Sequence, residues 1–231
     1  MLRILSVVAT LLLGTLALAR ADVVTGPSSD VRIETLTGVG SGVYIGNGFV
    51  VTAAHVVLDE KSNAAAKVIT IIVDRDGAEA EKLNATVAGA MKVGDYALLH
   101  MDRVPAGMQS AKLACRAPRI GEPIELVGNP LGMPFVHYWG HVAGVERVVP
   151  HSPWPVASPV DISLVSGVSG GPFYDQKGNV LGIAVGVIGP TNKSVGAINF
   201  MVPMDATVCG KLHDPDLVTN EEPIAGSTQA N

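Results

Sequence analysis

Charge is scarce in this chain. Lys, Arg, Asp and Glu make up 16% of its 231 residues, and they balance to a net charge of -5. Without a basic excess there is no electrostatic footprint for nucleic acid, which argues against that partner class. The acidity is of ordinary size for solubility and carries no substrate inference. Aromatic residues are equally sparse at 4%, and there are only two cysteines, Cys115 and Cys209. Two thiols exclude a cysteine-based metal cluster. What the chain has in quantity is 26 Gly, 15 Pro and many runs of Val and Ile. That is the composition of a β-rich protein with abundant turns. With 48% hydrophobic side chains it is able to bury one domain, or two small ones sharing a core.

The N-terminus reads as an address. Arg3 precedes an uncharged apolar run from Ile4 to Ala19, and Ala17-Leu18-Ala19 and Ala19-Arg20-Ala21 then offer cleavage patterns. This is the layout of a secretory signal peptide over residues 1–21. The run of 16 residues (19 − 4 + 1) is shorter than the roughly 20 that a membrane-spanning helix needs. Cleavage is therefore favoured over an uncleaved anchor, giving a secreted or periplasmic protein with no membrane contact afterwards. In that setting Cys115 and Cys209 could form one disulfide closing a loop of 94 residues (209 − 115). Two buried thiols are the alternative.

Beyond the leader, segments with strand character recur: Val31–Leu36, Ser41–Ile45, Phe49–Thr52, Val68–Val73, Ala85–Met91 and Tyr96–Met101. Pro105 to Pro118 has no clear period and reads as a connector. A second set lies at Pro123–Val127, Val136–Val142, Val145–Val149, Val180–Val187 and Ala197–Val202, and the best helix candidate is Met204–Leu212. The expected fold is all-β, with two six-stranded antiparallel β-barrels over 22–112 and 113–212 and a short C-terminal helix. Residues 213–231 are expected to form a polar tail.

Three stretches carry chemistry. Val51-Thr52-Ala53-Ala54-His55-Val56-Val57 supplies a base, Gly94-Asp95-Tyr96-Ala97-Leu98-Leu99 an acid, and Gly167-Val168-Ser169-Gly170-Gly171-Pro172 a hydroxyl in a tight turn. A serine hydroxyl is a weak nucleophile until an imidazole takes its proton. The imidazole in turn needs a carboxylate to fix its tautomer. Gly167-Val168-Ser169-Gly170-Gly171 also satisfies the elbow of α/β-hydrolases, but that fold places its acid and histidine after the serine. The only histidine downstream is His213, in the polar tail. The order His, Asp, Ser is the chymotrypsin order.

On these motifs the chain resembles the chymotrypsin-fold (trypsin-like) serine proteases, in their HtrA-like (high-temperature-requirement) branch. The likeness runs over most of residues 37 to 205. It includes Gly40-Ser41-Gly42 before the histidine, Gly128-Asn129-Pro130-Leu131-Gly132, Asp161, and Ile198-Asn199-Phe200-Met201-Val202-Pro203. The resemblance implies a chymotrypsin-like pair of barrels and a serine endopeptidase acting on polypeptides, with His55, Asp95 and Ser169 catalytic. It also implies an oxyanion hole from the amides of Gly167 and Ser169. The implied substrate pocket draws on Ser163, Leu164, Ala184, Val185, Gly186 and Asn199. None of these is acidic, so cleavage after modest aliphatic residues is expected. Val168 stands where trypsin-like zymogens carry an acid, so activation by N-terminal insertion is not expected. About 60 residues come after Ser169 (231 − 169 = 62), and the expectation is a protease without the PDZ domain usual in that branch. No cofactor or metal is called for. His137 and His141 are four apart in strand-like sequence, a spacing that converges on one ligand only in a helix. Two rivals stay open: a catalytically silent binding or chaperone protein on the same scaffold, and an esterase. The oligomeric state is not legible.

Overall fold

A computed structural model describes residues 29–59, 62–73, 80–149, 156–188 and 198–212. The expected leader and polar tail lie outside the described residues. Six strands form the first barrel: β1 (Asp30–Thr35), β2 (Val39–Gly46), β3 (Phe49–Thr52), β4 (Ile69–Val73), β5 (Glu81–Met91) and β6 (Tyr96–Met101). They close in the order β1-β2-β3-β6-β5-β4, every pairing antiparallel. β4 is β-branched at every position, which suits a pleated surface, and its register opposite β1 sets Ile71 against Ile33. Alternate side chains point inward. Val31, Ile33, Val50, Ile71, Leu83, Leu99 and Met101 fill the interior.

The second half contains β7 (Lys112–Leu113), β8 (Pro123–Gly128), β9 (Val136–His141), β10 (Ser158–Val160), β11 (Pro172–Tyr174), β12 (Asn179–Ile188) and β13 (Ile198–Pro203). Its path runs β10-β13-β12-β11-β8-β9. The two ends of that path meet through a bridge between Val142 and Val160, beside Ala143 N–H donating to Pro159 O at 2.8 Å. β7 adds to β12 in parallel, so Lys112 already belongs to the second sheet. Leu126, Phe173, Leu181 and Met201 are fully buried at its centre.

The sequence-based strands differ from the fold in instructive places. Val145–Val149 is not a strand: it makes one isolated bridge, Arg147 to Ala157, while Val145 and Val148 are exposed. Propensity without a partner strand leaves β-branched residues unpaired. The short strands β7, β10 and β11 went unread because two or three residues give no period, and Pro159 and Pro172 mask two of them. Trp139 on β9 is 73% exposed and stacks on His137.

Two helices attach to these sheets. Helix α1 (Ala54–Val57) is one turn long and leaves β3 directly. Helix α2 (Ala206–Leu212) begins where Asp205 Oδ1 accepts the Val208 N–H at 2.8 Å, an N-cap bond. On α2, Cys209 is bonded to Cys115, with Cα atoms 5.6 Å apart, tying the last helix to the connector between the barrels.

Next to that tie, Arg116 donates to Glu122 Oε2 and to Asp175 Oδ2, each at 3.0 Å. The Arg116 hydrogen bond holds the Glu122 carboxyl below its ordinary range, against the opposing pull of burial. Burial pushes Asp175 upward, but the N–H groups of Asn179 and Lys177 and the Arg116 guanidinium outweigh it, and its value is lowered. Folded-state values below the unfolded ones mean stability that is present above the ordinary carboxylate range and lost as pH falls through the lowered values. Urea denaturation followed across acid pH should therefore show a stability loss that shrinks in Glu122→Gln and Asp175→Asn. An acid slope unchanged in both variants would rule out this cluster as its source.

Candidate active site

His55 sits on α1, and the turn is held in place by the acid it faces. Asp95 Oδ1 accepts the His55 backbone N–H at 2.9 Å, while Oδ2 meets Nδ1 at 2.7 Å. One carboxylate thus fixes both the main chain and the ring. Asp95 is buried, and it stands at φ +53, just before β6, behind Gly94 at φ +115. A left-handed backbone is tolerated by Asp better than by most side chains. The turn aims the carboxylate at α1 instead of leaving it along the strand face. The next residue, Tyr96, is buried with its phenol pushed up to about 12, by burial first and then by Asp205.

Ser169 lies in the turn before β11, and four consecutive carbonyls of that turn are each bound. Ser166 O accepts Leu131 N–H at 2.8 Å, and Gly167 O accepts the Ser41 hydroxyl at 2.8 Å. Val168 O accepts Gly171 N–H at 2.9 Å, and Ser169 O accepts Ser41 N–H at 2.8 Å. Two amides are also committed, Val168 N–H to Val165 O and Gly170 N–H to Ala184 O. Among the described residues the amides of Gly167 and Ser169 donate to no protein acceptor. In a planar trans peptide the N–H points away from the C=O. Anchoring Ser166 O and Val168 O therefore turns the Gly167 and Ser169 N–H groups away from the protein body. Alternate amides are left presented, which is the arrangement an anion-binding nest requires.

Glycine brings this turn against the first barrel. A Cβ on Gly170 (φ +81) would stand 2.2 Å from Thr52 Oγ1, 2.3 Å from Ser41 O and 2.7 Å from Ala53 N. Ala53 is two residues before His55, so the turn that carries Ser169 packs against the strand end that leads into α1. His55 and Asp95 are joined directly. The Ser169 hydroxyl makes no hydrogen bond to a protein group among the described residues.

A cavity of about 150 Å³ opens beside Ser169, walled by Leu164, Val165, Ser166, Val168, Ala184, Val185, Gly186 and Val187. Of the six expected pocket residues, Leu164, Ala184, Val185 and Gly186 line it. Asn199 stands behind the wall, its Oδ1 accepting Leu164 N–H at 2.9 Å, and Ser163 is exposed outside the lining. A second hollow of about 240 Å³ lies on the other side of the imidazole, between Leu58, Asn63 and Lys92. His137 and His141 face two different carboxylates, Glu125 at 2.7 Å and Asp161 at 3.2 Å.

Comparison with known proteins establishes the family and the fold. A family model for the trypsin-like peptidase domain matches residues 40–183, more than half of the chain. The chain belongs to the trypsin-like peptidase family. Similar relatives of this peptidase domain include a probable periplasmic serine endoprotease DegP-like from Brucella suis, 32% identical over 166 residues covering 71% of this chain and 30% of that protein. Another, of the same description from Rhizobium meliloti, is 30% identical over 179 residues, covering 77% and 33%. The chain thus spans about a third of the length of these relatives. Among solved structures, the Rv3671c protease of M. tuberculosis in an inactive form superposes with a TM-score of 0.65 at 24% identity, covering 85% of this chain and 91% of that one. A serine endoprotease from Yersinia pestis gives 0.63 at 20%, covering 84% and 64%. At these identities the likeness establishes the chymotrypsin-like fold.

Reading the sequence alone placed Val165 and Ser166 in the pocket wall, within the stretch 163–167, and missed Val168 and Val187. Val187 was within reach, since it continues the β12 segment that supplied its neighbours. The clearest structural test is at Gly170. Gly170→Ala would set a methyl into the backbone of the first barrel at a positive φ, and should lower stability by about 2 kcal/mol or more. Chemical denaturation checks it; a variant within about 0.5 kcal/mol of wild type, the scatter of neutral surface changes, would show that the seam yields.

Proposed function

We propose that this domain is a serine endopeptidase that hydrolyses peptide bonds through an acyl-enzyme on Ser169. The observation that carries the reading is the pair of undonated amides, Gly167 and Ser169, flanking a serine in the cleft that His55 and Asp95 face from the other barrel. In this reading Ser169 Oγ attacks the substrate carbonyl and His55 Nε2 takes its proton. Asp95 holds the other ring nitrogen and stabilises the imidazolium. The carbonyl oxygen, now an oxyanion, receives both amides, and loss of one such donor costs about 3–4 kcal/mol in the transition state. His55 then hands its proton to the departing amine, and water repeats the sequence on the acyl-enzyme. The Ser169 hydroxyl has to turn toward Nε2 for this, and such bonds commonly tighten only once substrate is bound.

Polypeptide is the substrate class that the strand edge favours. β12 pairs with β11 only as far as Ile183, so its edge from Val185 to Ile188 carries no strand partner there among the described residues. An extended peptide is able to add to such an edge. The side chain before the scissile bond would enter the Ala184–Val185–Gly186 cavity, whose walls are small and uncharged. The relatives named periplasmic, together with the leader-like N-terminus, support a periplasmic or secreted setting. The unpartnered Ser169 hydroxyl is the observation that favours the second reading, a binding protein whose chemistry is silent.

Two measurements decide between these. A fluorophosphonate probe should label wild type and not Ser169→Ala, with casein degraded in parallel. Labelling without proteolysis would favour an esterase, and neither would favour the silent binder. A peptide-library profile should be led by small aliphatic residues at the cleaved position; dominance of Arg or Lys there would overturn the pocket assignment.

A further inference from the structure

Behind the turn that carries Ser169, two polar side chains are sealed away from solvent. Ser41 and Asn129 are each 1% exposed. The Ser41 hydroxyl is used to capacity. It accepts Asn129 N–H and Asn129 Nδ2, both at 2.9 Å, and donates its only hydrogen to Gly167 O at 2.8 Å. A hydroxyl has two acceptor sites and one donor, so with both acceptor sites filled its proton has one direction left. Asn129 is itself locked, its Oδ1 accepting Phe135 N–H at 3.2 Å and its Nδ2 reaching Val31 O at 3.4 Å. The amide therefore cannot exchange its oxygen and nitrogen without losing these bonds.

What this lock holds is a residue that otherwise turns freely. Gly167 stands at φ +98, a region open to glycine in both directions, and rotating the peptide before it would withdraw its N–H from the cleft. Leu131 N–H clamps the carbonyl before it and Ser41 clamps its own. Its ideal Cβ position is 2.2 Å from Asn129 O, so Gly167 lies directly on the same residue that aims the hydroxyl.

We propose that Ser41 and Asn129 are positioning residues for transition-state stabilisation: Asn129 aims the Ser41 hydroxyl, and the hydroxyl latches the peptide after Gly167 while Leu131 N–H holds the peptide before it, so that the glycine is fixed from both sides and its amide stays presented to the oxyanion. The latch joins the barrels, since Ser41 belongs to β2 and Asn129 to the turn after β8. The inference rests on the endopeptidase reading for its kinetic consequence, but the latch itself is a property of the backbone.

The tests separate the two. In Ser41→Ala, kcat should fall roughly 10- to 100-fold with KM within about threefold, and the affinity for a peptide aldehyde, whose hemiacetal oxygen occupies the oxyanion position, should fall by the same factor as kcat. Asn129→Asp conserves volume but replaces the Nδ2 donor with an acceptor that competes for the hydroxyl proton. It should reproduce the loss, and the double variant should be no worse than either single one. If Ser41→Ala fails to fold, as judged by its thermal transition, Asn129→Asp carries the test. Independently of turnover, the 15N resonance of Gly167 in the Ser169→Ala background should be sharp, and broadened by exchange once Ser41→Ala is added. Broadening with an inactive wild type would sink the peptidase reading and leave the latch standing. An active wild type with unchanged kcat, unchanged aldehyde affinity or an unbroadened Gly167 in these variants would overturn the latch.

Discussion

The two barrels meet through backbone, and the missing Cβ atoms of a few glycines set how closely. At Gly170 the main chain of the second half comes within van der Waals range of Thr52, Ser41 and Ala53, and at Gly128 a Cβ would stand 3.3 Å from the Ser41 hydroxyl oxygen. Every geometric relation in the cleft depends on this closeness. Ser41 reaches both Ser169 O and Gly167 O only because the strand that carries it runs against the turn. A single methyl in this seam would separate the barrels and dissolve the bonds that orient the turn.

The seam also divides the chemistry cleanly. The first barrel contributes an imidazole whose main chain and ring are gripped by one buried carboxylate. The second contributes a turn whose carbonyls are all tied down, leaving two amides without protein acceptors among the described residues. These donors and dipoles are fixed by the fold itself, so under the peptidase reading we propose little reorganisation remains for the moment when charge develops. Preorganisation of this kind comes from hydrogen bonds that never touch the reacting atoms.

Much of this was legible in the sequence, and the boundary of legibility has physical causes. Phe49–Thr52 and Tyr96–Met101 were delimited to the residue because their apolar runs end in turn residues. The motifs around His55, Asp95 and Ser169 were readable because each combines a reactive side chain with glycines or alanines that let the backbone approach. The latch was not, although Ser41 and Asn129 both lie in motifs that marked the family. A buried serine and asparagine look like turn residues until the partner strand is in place. Pocket walls failed similarly: Ser163 is close in sequence to the wall but lies outside it, while Val187, though exposed, lines the cavity. Val145–Val149 had strand composition, yet among the described residues its one ladder contact is the bridge from Arg147 to Ala157.

Because one gripped imidazole and one tied turn reside on separate barrels, neither half holds a working set of groups by itself. The groups come together only where the two halves are packed on each other. Under the peptidase reading we propose, an unfolded chain would carry every reactive residue and yet be harmless to its neighbours.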